Sequence, residues 1–241
     1  MTGSQDRSQT GSPRVLKIFS GLAVRAAFDD GLLDAFERSG TKVDVEWNPT
    51  TVIETKIARG ETADLVIATT GATAKLVGRG LVIAETCRPL IDACLGVAVA
   101  KGATKPAIGS PEEFYAALKA ARSVAWSEGG QSGIYLEKLL AGAGLLDEIK
   151  ARASTIPEGF TAAKIASGEA DMAIQQVSEL MVVKDVDIVG PFPDELQTWT
   201  PFQIGIFTSS TNRALAESFI AFMGEEVSRQ SFLRNGLRLA A

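Results

Sequence analysis

Between Val15 and Gly80 the sequence repeats one unit three times: an apolar strand, a polar turn and a helix. In the first unit Val15, Leu16, Ile18 and Phe19 form a strand that runs through Ser20-Gly21 into a helix starting near Leu22 or Ala23. Val24, Phe28, Leu32 and Phe36 then recur every four residues, so one continuous helical face is apolar while Arg25, Asp29 and Arg38 look away from it. The second unit runs from the alternating strand Lys42 to Trp47 through Asn48-Pro49-Thr50-Thr51 into a helix carrying Ile53 and Ile57. The third runs from the uninterrupted apolar strand Ala63 to Ala68 through Thr69-Thr70-Gly71 into a short helix stopped by Gly78 and Gly80. Parallel strands need such crossovers, so the repeat points to a doubly wound α/β sheet. It also places free helix N–H groups, at the positive end of the helix dipole, beside the carboxyl ends of strands, where an anion can bind.

After the strand Asp92 to Ala100 the rhythm changes in the loop Lys101 to Pro106, and a lobe boundary is expected there. Residues 1–13 form a flexible leader, 14–95 and 202–241 one lobe, and 96–201 the other. Ser110-Pro111-Glu112-Glu113 is a helix start with a capping box. Ser123 to Trp126 is a strand feeding the loop Ser127 to Gln131, and the next helix begins near Ser132-Gly133. Thr155 to Phe160 opens a further helix, ended by Gly168. Asp171 to Glu179 reads as a strand whose exit carries Gln175 and Gln176. Trp199 to Thr208 returns to the first lobe, and two helices close the chain, at about 212–223 and 225–234. Crossover strands near Val97 to Ala100 and Thr200 to Phe207 would serve as the hinge.

Composition removes several function classes. The 241 residues contain no His, which excludes classical triads and most zinc sites, so neither metal nor cofactor is expected. The net charge of -5 comes with scattered basic residues, a poor match for nucleic acid. No apolar run approaches the ~18 residues of a membrane span, so direct membrane insertion is not expected. Cys87 and Cys94, seven apart, can pair as a disulfide in an oxidising compartment, and the plainer reading is two buried free thiols. Residues 1–13 lack the apolar core of a secretory signal; the chain as written would be cytoplasmic, or periplasmic had a signal been removed.

Four stretches resemble the substrate-binding proteins of molybdate-type transporters, built on the two-lobed type II periplasmic binding fold: LKIFSGLAVRAAF, GETADLVIAT (Gly60 to Thr69), SGIYLEKLLAGAGL (Ser132 to Leu145) and SGEADMAIQQVSEL (Ser167 to Leu180). The resemblance covers nearly the whole chain from Val15. It implies two lobes, each a mainly parallel sheet flanked by helices, and a small anion held between them by hydroxyls and backbone N–H groups. It also implies a monomer that serves an ABC transporter membrane complex. Its site positions fall on Ala23, Pro49-Thr50-Thr51, Ser132, about Phe160, and Gln176. Two of these differ in chemistry from the family: Ala23 replaces a serine and Gln176 a tyrosine.

These replacements favour a small organic di- or tricarboxylate over molybdate, because Arg25 can hold a carboxylate through paired hydrogen bonds and Gln175 and Gln176 supply donors and acceptors. The candidate ligand set is Ser20, Gly21, Ala23, Arg25, Thr50, Thr51, Ser132, Gly133, Phe160, Gln175 and Gln176. The first reading is a solute receptor that closes on its ligand without covalent chemistry. The alternative is an isomerase of an unsaturated tricarboxylic acid such as aconitate, since some relatives of the family resemble such enzymes. Its base would come from Glu128, Glu158, Glu179 or Tyr135. A regulatory effector domain shares the fold, but the fold begins at about Val15 and leaves no room for a DNA-binding module before it.

Overall fold

Alternating side chains on the central strands feed two apolar layers at once. On β1 (Val15–Ser20) Leu16 and Ile18 enter one layer and Phe19 the opposite one; on β3 (Leu65–Thr69) Leu65 and Ile67 divide from Val66 and Ala68 in the same way. A strand buried on both faces reads as an unbroken apolar run, which is why ADLVIA carries no polar alternation. The computed structural model describes residues 15–240; the segment 1–13, expected to be flexible, lies outside the described residues.

After β1 come α1 (Arg25–Ala27), α2 (Leu33–Glu37), β2 (Lys42–Trp47), α3 (Thr50–Ala58), β3 and α4 (Thr70–Gly78). The long β4 (Arg88–Ala100) leads to α5 (Pro111–Ala120), β5 (Val124–Ser127), α6 (Gln131–Gly142), α7 (Leu146–Lys150), β6 (Ser154–Ile156), α8 (Ala163–Ala166), β7 (Met172–Gln176), α9 (Val177–Leu180) and β8 (Val186–Pro191). The chain returns through β9 (Trp199–Ile206) to α10 (Arg213–Met223), α11 (Glu226–Arg234) and β10 (Leu237–Leu239).

The strands run in the order β2-β1-β3-β9-β4-β7-β5-β6, with β8 and β10 also on β4. The pairs β1–β2, β1–β3, β5–β6 and β5–β7 are parallel, whereas every pair made by β4 or β9 is antiparallel. β4 belongs to both halves: Arg88 to Cys94 pair with β9, and from Leu95 onward with β7 and β8. The Gln197 side chain pins the changeover, its Oε1 accepting from Leu95 N and its Nε2 donating to Leu95 O, both at 2.9 Å. The second lobe repeats the double-faced pattern. Val97, Val124, Trp126 and Ile174 face one layer, and Ala98, Ala125 and Ala173 the other.

Three local expectations are corrected. The opening helix is not continuous: it begins as a 3-10 turn over Leu22–Val24 and kinks at Asp30-Gly31, where Gly31 takes φ 84°. That region is strained for any residue with a Cβ, and the Asp30 carboxylate there accepts from Arg234 and Asn235 of the closing helix. The apolar period survives because Val24, Phe28, Leu32 and Phe36 still reach one layer. Secondly, the 171–179 strand ends at Gln176, and Val177 to Leu180 turn into α9, so Glu179 stands on a helix. Thirdly, Thr155 ends in the short strand β6, and the helix expected from it starts only at Ala163. β10, which follows the closing helix, has only three residues, too few for alternation to mark a strand in the sequence.

Candidate functional site

One cavity of about 60 Å³ lies between the lobes, with room for roughly four to six water-sized spheres. Its first-lobe wall is built from the ends of β1, β2 and β3: Gly21, Leu22, Pro49, Thr50, Thr51 and Thr69. The second-lobe wall comes from the β5–α6 loop (Ser127, Gly129, Gly130, Gln131, Ser132), from Gly159, and from the end of β7 with α9 (Gln175, Gln176, Glu179); Phe202 of β9 closes the floor. A Cβ at Gly21 would stand 3.0 Å from the Phe202 ring, tighter than an ordinary contact, so the backbone approaches the ring closely there.

Helix starts make this wall electropositive without cations. The residues preceding α3, α4, α6 and α9 (Pro49, Thr69, Gly130 and Gln176) all line the cavity. Thr69 caps its own helix, accepting from Ala72 N, while α3 and α6, one from each lobe, have no side-chain cap. Their first N–H groups lack intrahelical acceptors and carry the positive dipole end. No Lys or Arg lines the cavity among the described residues, so an anion would be held by backbone and hydroxyl donors.

Of the residues expected at the site, Gly21, Thr50, Thr51, Ser132, Gln175 and Gln176 stand in the cavity wall. Ser20 is buried beside it and donates to Gly21 O, and Ala23 packs into the first-lobe core. Gly133 lies against the Ser127 carbonyl, where a Cβ would come within 1.7 Å. Arg25 and Phe160 stand outside the wall and face each other, with the guanidinium 5.4 Å from the Phe160 ring centroid and 5.7 Å from that of Trp47; Asp29 holds it at 3.3 Å. Thr69, the Ser127 to Gln131 loop and Gly159 complete the wall, and the first two occupy the strand-to-helix junctions already visible in the sequence. Phe202 carries no local signal, because it arrives from a distant strand.

The four candidate bases separate sharply. Glu128 is exposed and accepts from Thr155 at 2.6 Å, Glu158 is exposed, and the Tyr135 hydroxyl donates to Leu196 O at 3.1 Å. Glu179 alone among them lines the cavity, only 9% exposed. Burial pushes its carboxyl up to about 8, against the opposing pull of donors from the Gln175 side chain and the Gln176 backbone. Most of its population at neutral pH is therefore the uncharged acid. On the same cavity wall, Gln176 Oε1 is buried without a hydrogen-bond partner. Gln175 is fully engaged: its Oε1 accepts from Thr161 N at 2.8 Å and from Thr161 Oγ1 at 3.0 Å, and its Nε2 donates to Gly159 O at 2.9 Å.

The family described as bacterial extracellular solute-binding protein matches residues 16–238. The chain belongs to that family. Among curated proteins it is similar to an aconitate isomerase from Pseudomonas sp., 32% identical over 211 residues, spanning 85% of this chain and 80% of that protein. Among solved structures it is similar to the periplasmic molybdate-binding protein of Azotobacter vinelandii, with TM-score 0.78, 19% identity, and coverage of 94% of this chain and 100% of that one. The sulfate-binding protein of Mycobacterium tuberculosis H37Rv aligns at TM-score 0.71 and 16% identity, over 94% of this chain and 87% of that one. These neighbours establish the two-lobed binding-protein fold. Among the described residues no helix is long and apolar enough to cross a membrane, and no three His, Cys, Asp or Glu cluster as metal ligands would.

Proposed function

We propose that the cleft binds a small unsaturated di- or tricarboxylate and shifts its double bond by moving a proton, as an aconitate isomerase would. The observation that carries this reading is Glu179, an ionisable acid buried in the cavity wall with its carboxyl at about 8. The neutral acid can donate a hydrogen bond to a bound anion, which serves a receptor, and it can also exchange its proton with the ligand. A proton carrier needs such a group, and its effectiveness peaks when its pKa lies near working pH.

The chemistry balances without oxidant or metal. Ionised Glu179 takes a proton from the methylene carbon beside the double bond; the C–H bond breaks and an O–H bond forms on Glu179. The electron pair spreads over the three allylic carbons and an attached carboxylate, whose charge faces the free N–H groups at the starts of α3 and α6. Neutral Glu179 then returns the proton to the far allylic carbon, and the double bond has moved. The similarity to the Pseudomonas aconitate isomerase supports this class of substrate.

Proton NMR of cis- and trans-aconitate incubated with the purified protein tests the reading. Growth of the opposite isomer is expected, lost in Glu179→Gln. Family membership favours a second reading, a monomeric receptor delivering its anion to an ABC transporter. Saturable binding with an unchanging NMR spectrum would establish that reading in place of the first.

A further inference from the structure

Two side-chain oxygens among the described residues are buried without a hydrogen-bond partner, Ser178 Oγ and Gln176 Oε1. Only Gln176 belongs to the cavity wall, where it is 5% exposed. It directly precedes α9, yet its side chain does not cap that helix. An amide oxygen accepts hydrogen and never donates it, and a buried acceptor left unpaired costs free energy. Turning the amide over exchanges its two ends but leaves an oxygen in the wall all the same. The wall therefore has a place for a hydrogen that the protein does not supply.

Charge points the same way. The helix starts of α3 and α6, both without a side-chain cap, carry about half a positive charge each, or about one together. No Lys or Arg lines the cavity among the described residues. A fully ionised di- or tricarboxylate brings two or three negative charges, and a buried charge without a partner is relieved by taking up a proton. The elements packed on β7 and α9 are β4, β5, β8, α1, α6, α8 and the opening turn. Their cations are committed outside the wall: Arg25 to Asp29, Arg88 to the carbonyls of Glu85 and Cys87, and Lys164 to Glu169, while Lys138 is exposed. Of their acids, Asp92 is bound to Arg238, Asp187 to Gly102 N and Glu137 to Lys150; the Tyr135 hydroxyl donates to Leu196 O, and Cys94 is a buried thiol. Glu179 remains as the titratable side chain of the wall.

We propose that the cleft takes its ligand with one carboxyl protonated, the acid hydrogen donated to Gln176 Oε1, so that binding draws a proton from solvent. The inference rests on the ligand being a di- or tricarboxylate. An O–H bond forms on the ligand carboxyl, and the buffer acid that supplies the hydrogen is left as its conjugate base. One event then answers both observations: the ligand loses a negative charge and the buried oxygen gains its donor. Gln176 is thereby a specificity-determining residue. Sulfate, the anion of a strong acid, brings no hydrogen, and a buried acceptor discriminates against a ligand that leaves it unpaired.

Titration calorimetry of the full chain with tricarballylate, a saturated tricarboxylate that has no double bond to move, tests this. Two buffers of different ionisation heat, PIPES and Tris, at one pH near 7.5 count the protons exchanged. The wild-type protein is expected to take up about one proton per ligand and to lose about tenfold in affinity per pH unit between about pH 7 and 8.5. Gln176→Met, similar in size but without the amide acceptor, should bring uptake below about half a proton, flatten the pH dependence and weaken binding about tenfold. Glu179→Gln should leave the uptake in place. Wild-type binding with no proton uptake overturns the proposal and leaves a carboxylate receptor; that measurement stands whether or not Gln176→Met folds. Uptake abolished by Glu179→Gln and untouched by Gln176→Met puts the proton on Glu179 and overturns it as well. Absence of tricarballylate binding overturns the carboxylate reading and this proposal together. Proton uptake by a protein that leaves the NMR spectrum of cis-aconitate unchanged supports the proposal and overturns only the catalytic reading.

Discussion

Arg25 of the first lobe lies over Phe160 of the second, 5.4 Å from guanidinium carbon to ring centroid, and the same guanidinium is 5.7 Å from Trp47. Neither Arg25 nor Phe160 lines the cavity, so the pair spans the cleft beside it. Phe160 sits between Gly159 and Thr161, the two residues that Gln175 holds. The contact between lobes and the wall of the site therefore share one short segment.

This stack should hold the closed cleft. A cation–π contact is worth about 0.5–2 kcal/mol, so Phe160→Ala is expected to weaken ligand binding roughly 2- to 30-fold through faster release. Stopped-flow dissociation read alongside calorimetry would locate the effect in the off-rate. An unchanged off-rate would show that the stack does not brace the bound state.

Stability should depend on pH through Glu179. Its folded carboxyl is raised to about 8 from an ordinary 4.5, so the folded state keeps a proton that the unfolded chain has already released. The contribution is full below about 4.5 and fades as pH rises toward 8, at up to about 1.4 kcal/mol per pH unit. Urea denaturation between pH 5 and 9 is expected to follow this decline, and Glu179→Gln to flatten it.

Activity and binding should separate at the same residue. Glu179→Gln keeps the size and polarity of the side chain but cannot carry a proton, so isomerisation is expected to fall by about 10²- to 10⁴-fold while aconitate affinity stays within roughly tenfold. NMR rates and calorimetry on the same preparation give both numbers. Parallel loss of the two would assign Glu179 to ligand binding instead.

Gly133→Ala is a structural control. A Cβ 1.7 Å from Ser127 O has to move backbone, and a cost of about 3 kcal/mol is expected in urea denaturation. Its neighbour Ser132 lines the cavity, so affinity should fall in the same variant. Native stability would mean that the β5–α6 loop yields more easily than its packing implies.

The sequence alone determined the repeated strand–turn–helix junctions, because burial on both sheet faces writes continuous apolar runs and helix stripes write a four-residue period. It thereby located part of the cavity wall: Gly21, Thr50, Thr51, Ser132, Gln175 and Gln176 all stand at strand-to-helix junctions. What it could not carry was direction over distance. The kink at Gly31 preserves the apolar period, so the pattern of the opening helix looks unbroken. Glu179 lies one turn past a strand end that local pattern extends too far, and three other candidate bases look equivalent in sequence. Only the tertiary structure shows that Glu179, and none of the other three, lines the cavity. Burial in the cavity wall raises one carboxyl, and Thr161, fourteen residues from Gln175 in the chain, holds the Gln175 amide on the same wall. Desolvation and hydrogen-bond direction are set by neighbours brought together in space, and periodicity along a chain records neither.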